Sequence, residues 1–286
     1  MTPATAVSDT VPENAPRRQM LAAIRLQASQ VLFQRRALGV WVLALLPALI
    51  MIPWAVFEIV RAGAGVETIT VGQSTKDYAE MFQGLMLLFV VLFGSLSVFS
   101  NLVRREILER TLHYSFTIPM TRRDLLLSKY LGGVVAFGFL VTLSTTVSFL
   151  AIYVPSGGSA LSSFLFGGPG LGHLMSYLFV GLLGVVGYGA VFLLFGLVFK
   201  RPAFAGIVLF VWEIGNFLMP PFLKRLSVMH YLKNLTPVPV DEGPFAVVAD
   251  APNPLMSVVG LLILSGVLFA VSIWKLRRTE VLYGED

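Results

Sequence analysis

Charged residues are missing from four long intervals of the chain: Leu38–Phe57, Met81–Val103, Tyr130–Phe199 and Asn253–Trp274. An apolar run of about 20 residues is long enough to cross a bilayer as a helix, and the third interval is long enough for two crossings. Its middle, PSGGSALSSFLFGGPGLG (Pro155–Gly172), carries the Gly and Pro of a turn outside the membrane. The pattern therefore predicts spans at Leu38–Phe57, Met81–Leu102, Tyr130–Val154, Leu174–Phe199 and Leu255–Trp274. A shorter run, FAGIVLFVWEIGNFLM (Phe204–Met219), contains Glu213 and is counted as a sixth span. The expected fold is an all-α membrane protein with six transmembrane helices and both termini on one side.

Ahead of the first span lies RRQMLAAIRLQASQVLFQRR (Arg17–Arg36). Met20, Leu21, Ile24, Ala28, Val31 and Leu32 share one helical face, while Arg18, Arg25, Ser29 and Arg36 share another. A basic amphipathic helix of this kind lies flat on a membrane surface. The organisation is then a polar, disordered tail over residues 1–16 and an amphipathic interfacial helix over 17–36. A six-span domain follows over 37–278, with spans at about 38–57, 81–102, 130–154, 174–199, 204–219 and 255–274, and a C-terminal tail over 279–286.

Composition agrees with this pattern. Hydrophobic residues make up 56% and charged residues 13%, against about 25% charged in a soluble domain; the mean hydropathy is +0.80. The net charge of +5 raises the question of nucleic acid, but its distribution follows the membrane. With both termini cytoplasmic, only Arg61, Lys76, Lys224, Arg225 and Lys233 of the 21 Lys and Arg fall outside, as the positive-inside rule requires. A nucleic-acid binder needs one basic face on a soluble module, and this sequence has none. The expected location is the cytoplasmic (inner) membrane of a prokaryote, multi-pass, with the lipid bilayer as a partner.

Catalytic chemistry is not visible. The chain has no Cys, so a disulfide framework, a thiol nucleophile and a thiolate metal site are all excluded. Its 3 His are scattered and form no HExxH helix, and no GxSxG elbow or GxxxxGK[ST] phosphate loop occurs. GGPGLG (Gly167–Gly172) follows no strand and reads as a turn. The expectation is a protein that is not an enzyme, with no catalytic residue, metal or cofactor of its own.

Between the second and third spans lies the most charged stretch, RREILERTLHYSFTIPMTRRDLLLSK (Arg104–Lys129). Glu106 and Arg110, and Arg105 and Glu109, stand four residues apart as on an exposed helix. Leu108, Leu112 and Phe116 make an apolar edge. Pro119 disfavours helix at Ile118. Thr121 with Asp124 three residues on is a capping-box analogue that starts the third span. The stretch reads as a short amphipathic helix, a proline turn and a freshly capped membrane helix: a surface for another protein to push on.

The pattern Glu106, Arg110-Thr111-Leu112, Pro119, Arg122-Arg123 and Lys129 resembles the signature of ABC type-2 exporter permeases. The resemblance extends over the whole chain, from the basic surface helix through six spans to the long outer segment before the last one. Arg110 and Ser128 stand where many members have Gly, and Tyr114 and Phe116 where members have Leu. The resemblance implies a permease that pairs with a second permease chain, as a homodimer or similar heterodimer. It also implies two copies of an ABC ATP-binding subunit, which carry the ATP and Mg. The coupling helix would use Arg104, Arg105, Glu106, Glu109, Arg110, Thr111, Leu112, Phe116 and Pro119. The cap and start of span three would use Thr121, Arg122, Arg123, Asp124 and Lys129.

Glu213 is the one acidic residue deep inside a predicted span, and Asn216 lies one turn on. An ionised group at mid-bilayer costs about 2.5–3.5 kcal/mol on insertion scales, so it faces protein or water. Two readings stand: a polar site in a transport path, or a hydrogen-bonding residue between helices. Alternatives to the ATP-driven exporter are a proton-coupled secondary carrier using Glu213 and a non-transporting membrane assembly subunit. Span four carries Gly181, Gly184, Gly187 and Gly189, which permit close helix contact. The 10 Met are scattered, without a metal-export pattern.

Overall fold

The computed structural model describes residues 15–34, 37–65, 69–102, 104, 121–240 and 253–278. Among them every regular element is helical. The helices are α1 (Ala15–Phe33), α2 (Ala37–Gly63), α3 (Val71–Phe99), α4 (Arg122–Tyr153), α5 (Gly158–Gly167), α6 (Gly170–Val198), α7 (Pro202–Ile214), α8 (Pro221–Lys224), α9 (Val228–Lys233) and α10 (Pro254–Arg278). Five stretches are long and apolar enough to cross a membrane: Ala37–Gly63, Val71–Phe99, Arg122–Ser156, Gly170–Val198 and Pro254–Arg278.

The span boundaries differ from the hydropathy reading for identifiable reasons. α2 continues past Phe57 and takes in Glu58, whose carboxylate is buried and paired with Arg61 at 2.9 Å. Glu213 is therefore not the one acidic side chain buried in an apolar helix. A local i, i+3 ion pair lets α2 carry a carboxylate that hydropathy alone reads as a stop. α3 starts at Val71 rather than Met81, because Thr70 caps it and Gln73 bonds Asp77 one turn on. Its middle ten residues, Phe82–Val91, take the wider π-helical winding. The stretch expected as a simple turn over Pro155–Gly172 holds α5, whose Phe164 packs on Tyr153 with ring centroids 4.7 Å apart. α7 is only 13 residues long, roughly 20 Å at 1.5 Å per residue, and by itself falls short of a 30 Å hydrocarbon core.

α4 is the centre of the bundle, with α1 and α2 on one side and α6 on the other, while α6 also packs on α3 and α10. Small residues make this density possible. A Cβ at Gly181 would lie 3.1 Å from Val141, at Gly184 3.1 Å from Val91, at Gly187 2.9 Å from Val228 and at Gly189 2.9 Å from Phe99. One helix thereby touches α4, α3 and α9 at van der Waals distance, which is how helices associate without a hydrophobic drive between them. At the opposite end from the charged loop, Tyr78 meets Phe149 and Tyr177 edge-on at 5.0 and 4.9 Å. The Tyr78 hydroxyl donates to the Thr145 carbonyl at 3.1 Å. That aromatic knot ties α3, α4 and α6 together.

α1 rests on the start of α4. A Cβ at Gly132 would meet the Gln27 Cβ at 2.6 Å and the Ile24 carbonyl oxygen at 2.9 Å. Leu21, on the apolar face, is 57% exposed; the contact with α4 runs through Ile24 and Gln27. The Trp41 indole N–H donates to the Leu32 carbonyl at 2.9 Å, joining the end of α1 to α2. Gly132→Leu is expected to lift α1 off α4, since a backbone carbonyl cannot step aside, at a cost of about 1–3 kcal/mol. Maleimide labelling of a cysteine introduced at Ala23, in a chain with no Cys of its own, is expected to rise severalfold. Unchanged labelling would show that the contact does not hold α1.

Candidate functional site

The charged end of the bundle is where α1, the end of α3, the start of α4, the end of α6 and the end of α10 converge. The segment singled out by sequence enters and leaves at this end. Arg105, Glu106, Glu109, Arg110, Thr111, Leu112, Phe116 and Pro119 lie outside the described residues, as does the coupling helix itself. Both of the segment's flanks are described. On its N-terminal side, Arg104 Nη2 donates to the Lys200 carbonyl at 3.1 Å, just past the end of α6. On its C-terminal side, Thr121 is the N-cap of α4, with extended backbone and its Oγ1 accepting the Asp124 N–H at 3.1 Å. The hydroxyl donates in turn to Asp124 Oδ2 at 2.7 Å. An acid in the first turn also suits the positive end of the helix dipole.

The residues after the cap spread outward. Arg122 Nη1 reaches the Leu276 and Arg277 carbonyls at 3.5 and 3.4 Å, where the last carbonyls of α10 have no acceptor role inside their own helix. Arg123 is exposed, and Lys129 is buried on the inner face of α4. The first three turns of α4 are thus fastened to α10 by Arg122 and to α1 at Gly132.

Glu213 and Asn216 belong to a second, separate cluster. α7 ends at Ile214, the chain tightens through Gly215–Leu218, and a broken segment with two short helices, α8 and α9, follows. This segment lies deep beside α6. Val228 packs on Gly187 and Leu232 on Gly184, near the middle of that helix. The Gln83 side chain of α3 donates to Thr236 Oγ1 at 3.0 Å. Irregular backbone at such depth is tolerated only where protein satisfies its polar groups.

Glu213 does that work. Its Oε2 accepts the Ser227 hydroxyl and its Oε1 accepts the Val228 N–H at 3.2 Å. Ser227 accepts from Asn216 Nδ2 and from the His230 N–H. With one donated and two accepted bonds, the capacity of its hydroxyl is full. Glu213 is 2% exposed, Asn216 5% and Ser227 1%. The buried hydroxyl of Tyr188, on α6, is the electrostatic neighbour of the carboxylate. Sequence reasoning named Glu213 and Asn216 but missed Ser227, although a Ser three residues before His230 at the head of an apolar run is an N-cap signal. Among the described residues, no group of three or more His, Asp or Glu is placed to hold a metal ion.

An all-helical bundle with five span-length helices and a capped third span is the setting for the comparison with known proteins. A family model described as "ABC-2 family transporter protein" matches residues 34–216, more than half of the chain. The chain belongs to the ABC-2 transporter family. No curated protein matches it. It is a multi-pass membrane permease, of a family whose members are typically non-enzymatic membrane subunits that associate with an ATP-binding subunit. The family match covers α2 to α7 and ends at Asn216, so it contains Glu213 but not the broken segment that Glu213 holds.

The cluster yields a prediction. Glu213→Leu leaves the Ser227 hydroxyl and the Val228 N–H without an acceptor, at about 1–3 kcal/mol for each buried group. Glu213→Gln keeps one carbonyl oxygen and is expected to cost less. Thermal unfolding of the purified permease in detergent checks the order wild type, Gln, Leu; a Leu variant as stable as wild type would refute the capping role.

Proposed function

We propose that this chain is the transmembrane permease of an ATP-driven exporter of the cytoplasmic membrane, with both termini cytoplasmic. The working unit has two permease chains and two separate ATP-binding subunits, which supply ATP and Mg. The observation that carries this reading is mechanical. The charged segment between Arg104 and Thr121 is fastened to the bundle at both flanks, to Lys200 after α6 and to the head of α4. A push delivered at those flanks reaches the two most central helices directly.

α4 then acts as the lever. It is a 32-residue helix, roughly 48 Å long, so a small tilt at its capped end becomes a larger displacement at the aromatic knot. α1 lies on the cytoplasmic surface and steadies that end. α7 with its broken continuation is the sixth crossing, and the segment from Pro220 to Val240 closes the outer end of the path. The enclosure of Glu213 by protein donors supports a role in holding that closure rather than in carrying protons. Export as the direction follows from the family resemblance.

Three measurements test this reading. Charge reversal at Glu106 and Arg110 together is expected to abolish co-purification of an ATP-binding subunit encoded beside this chain, with the permease still folded. Substitution of that subunit's Walker lysine is expected to stop export, whereas collapsing the proton gradient leaves it running; the reverse result establishes a secondary carrier. Thr121→Ala removes a cap worth about 1 kcal/mol. It is expected to lower export while ATPase binding persists, because it loosens the lever and not the docking surface.

A further inference from the structure

The charged end holds a second built feature, a groove of about 560 Å³ between the first turns of α4 and the later turns of α10. Arg123 and Leu127 form one wall, and Gly266, Phe269, Ile273 and Arg277 form the other. The α10 residues recur at helical spacing and make one continuous stripe. The two arginines, both exposed, stand at the charged end, and everything deeper is apolar. Gly266 to Arg277 covers roughly 16 Å along the helix, about half of a 30 Å hydrocarbon core, which is the depth of one leaflet. At the deep end, a Cβ on Gly266 would meet nothing within 4 Å, so the groove is open there. Trp274 marks the rim, with the Arg278 guanidinium 4.1 Å over its ring, in the manner of an interfacial aromatic anchor.

We propose that this groove holds an anionic phospholipid of the leaflet at the charged end. Its phosphodiester sits between Arg123 and Arg277, and one acyl chain runs along Leu127, Phe269 and Ile273 to Gly266. Two guanidinium groups on one groove call for an anion, and the planar fork of Arg matches phosphate oxygens in pairs. Asp124, the neighbouring acid on α4, is bonded into the Thr121 cap. Basic pockets between membrane helices take acidic headgroups for this reason. The lipid bridges the head of α4 to the tail of α10, beside the Arg122 bonds that already join them. The inference rests on the chain crossing a bilayer and not on the exporter reading.

The test uses the full-length chain in detergent, followed by native mass spectrometry. The probes are phosphatidylglycerol, phosphatidylcholine with the same acyl chains, and soluble glycerol 3-phosphate. Wild type is expected to retain phosphatidylglycerol about tenfold better than phosphatidylcholine and to retain no glycerol 3-phosphate. Arg123→Gln with Arg277→Gln is expected to bring the two lipids to parity. Gly266→Leu fills the deep end with a better helix former and is expected to lower phosphatidylglycerol retention severalfold with both arginines intact. Equal retention of the two lipids by wild type, or retention unchanged in both variants, overturns the proposal. So does tight retention of glycerol 3-phosphate, which marks a free phosphate site. Spontaneous crosslinking of two copies through a cysteine placed at Phe269 also overturns it, because the groove is then an interface between chains.

Discussion

A backbone amide inside hydrocarbon has no water to turn to, and each one left unpaired costs several kcal/mol. That constraint organises this permease. It makes every regular element among the described residues a helix. It also sets the terms on which the chain breaks off helix between α7 and α10. The broken segment sits beside the middle of α6, and its Val228 N–H and Ser227 hydroxyl are met by one carboxylate from α7. Glu213 is placed where a helix would otherwise have supplied the acceptor.

The same constraint explains the close packing of the centre. With no water to expel between helices, association depends on contact area and on short-range bonds. α6 brings glycines to four neighbours, and tyrosine hydroxyls reach backbone carbonyls across helices, as Tyr130 does to Val186 at 2.7 Å. A core built this way is stiff. Stiffness is what lets force applied at the head of α4 arrive at its other end, so packing and the proposed coupling have one physical origin.

At the charged end the bonding is of another kind. Arg104 and Arg122 use backbone carbonyls beyond or at the ends of other helices as acceptors. Such carbonyls are available there because a helix leaves its last four without an internal partner. Helix ends that would need water or caps are instead joined to one another. The outer helices α2 and α10 are different again, with Leu49, Phe57, Leu262 and Ile263 turned outward, apolar surface that lipid or another chain covers.

Much of this was legible in the sequence, for local reasons. Runs without charge locate helices because an unpaired charge is costly in lipid, and Thr121 three residues before Asp124 marks a helix start because the cap is closed within one turn. Where the helices run past the apolar runs, a partner close in sequence offsets a polar group. Arg61 neutralises Glu58, so α2 runs on; Gln73 and Asp77 support one another, so α3 starts early. What the amino-acid order determined by itself was membrane class, helix content and the caps, all of which depend on neighbours within a turn or two. Only the tertiary structure decided that Glu213 meets Ser227 across fourteen residues of broken chain, that α1 lies against Gly132, and that Arg122 joins α4 to α10. Those contacts depend on how separate helices are laid side by side, and a periodicity along one helix carries no information about which neighbour will face it.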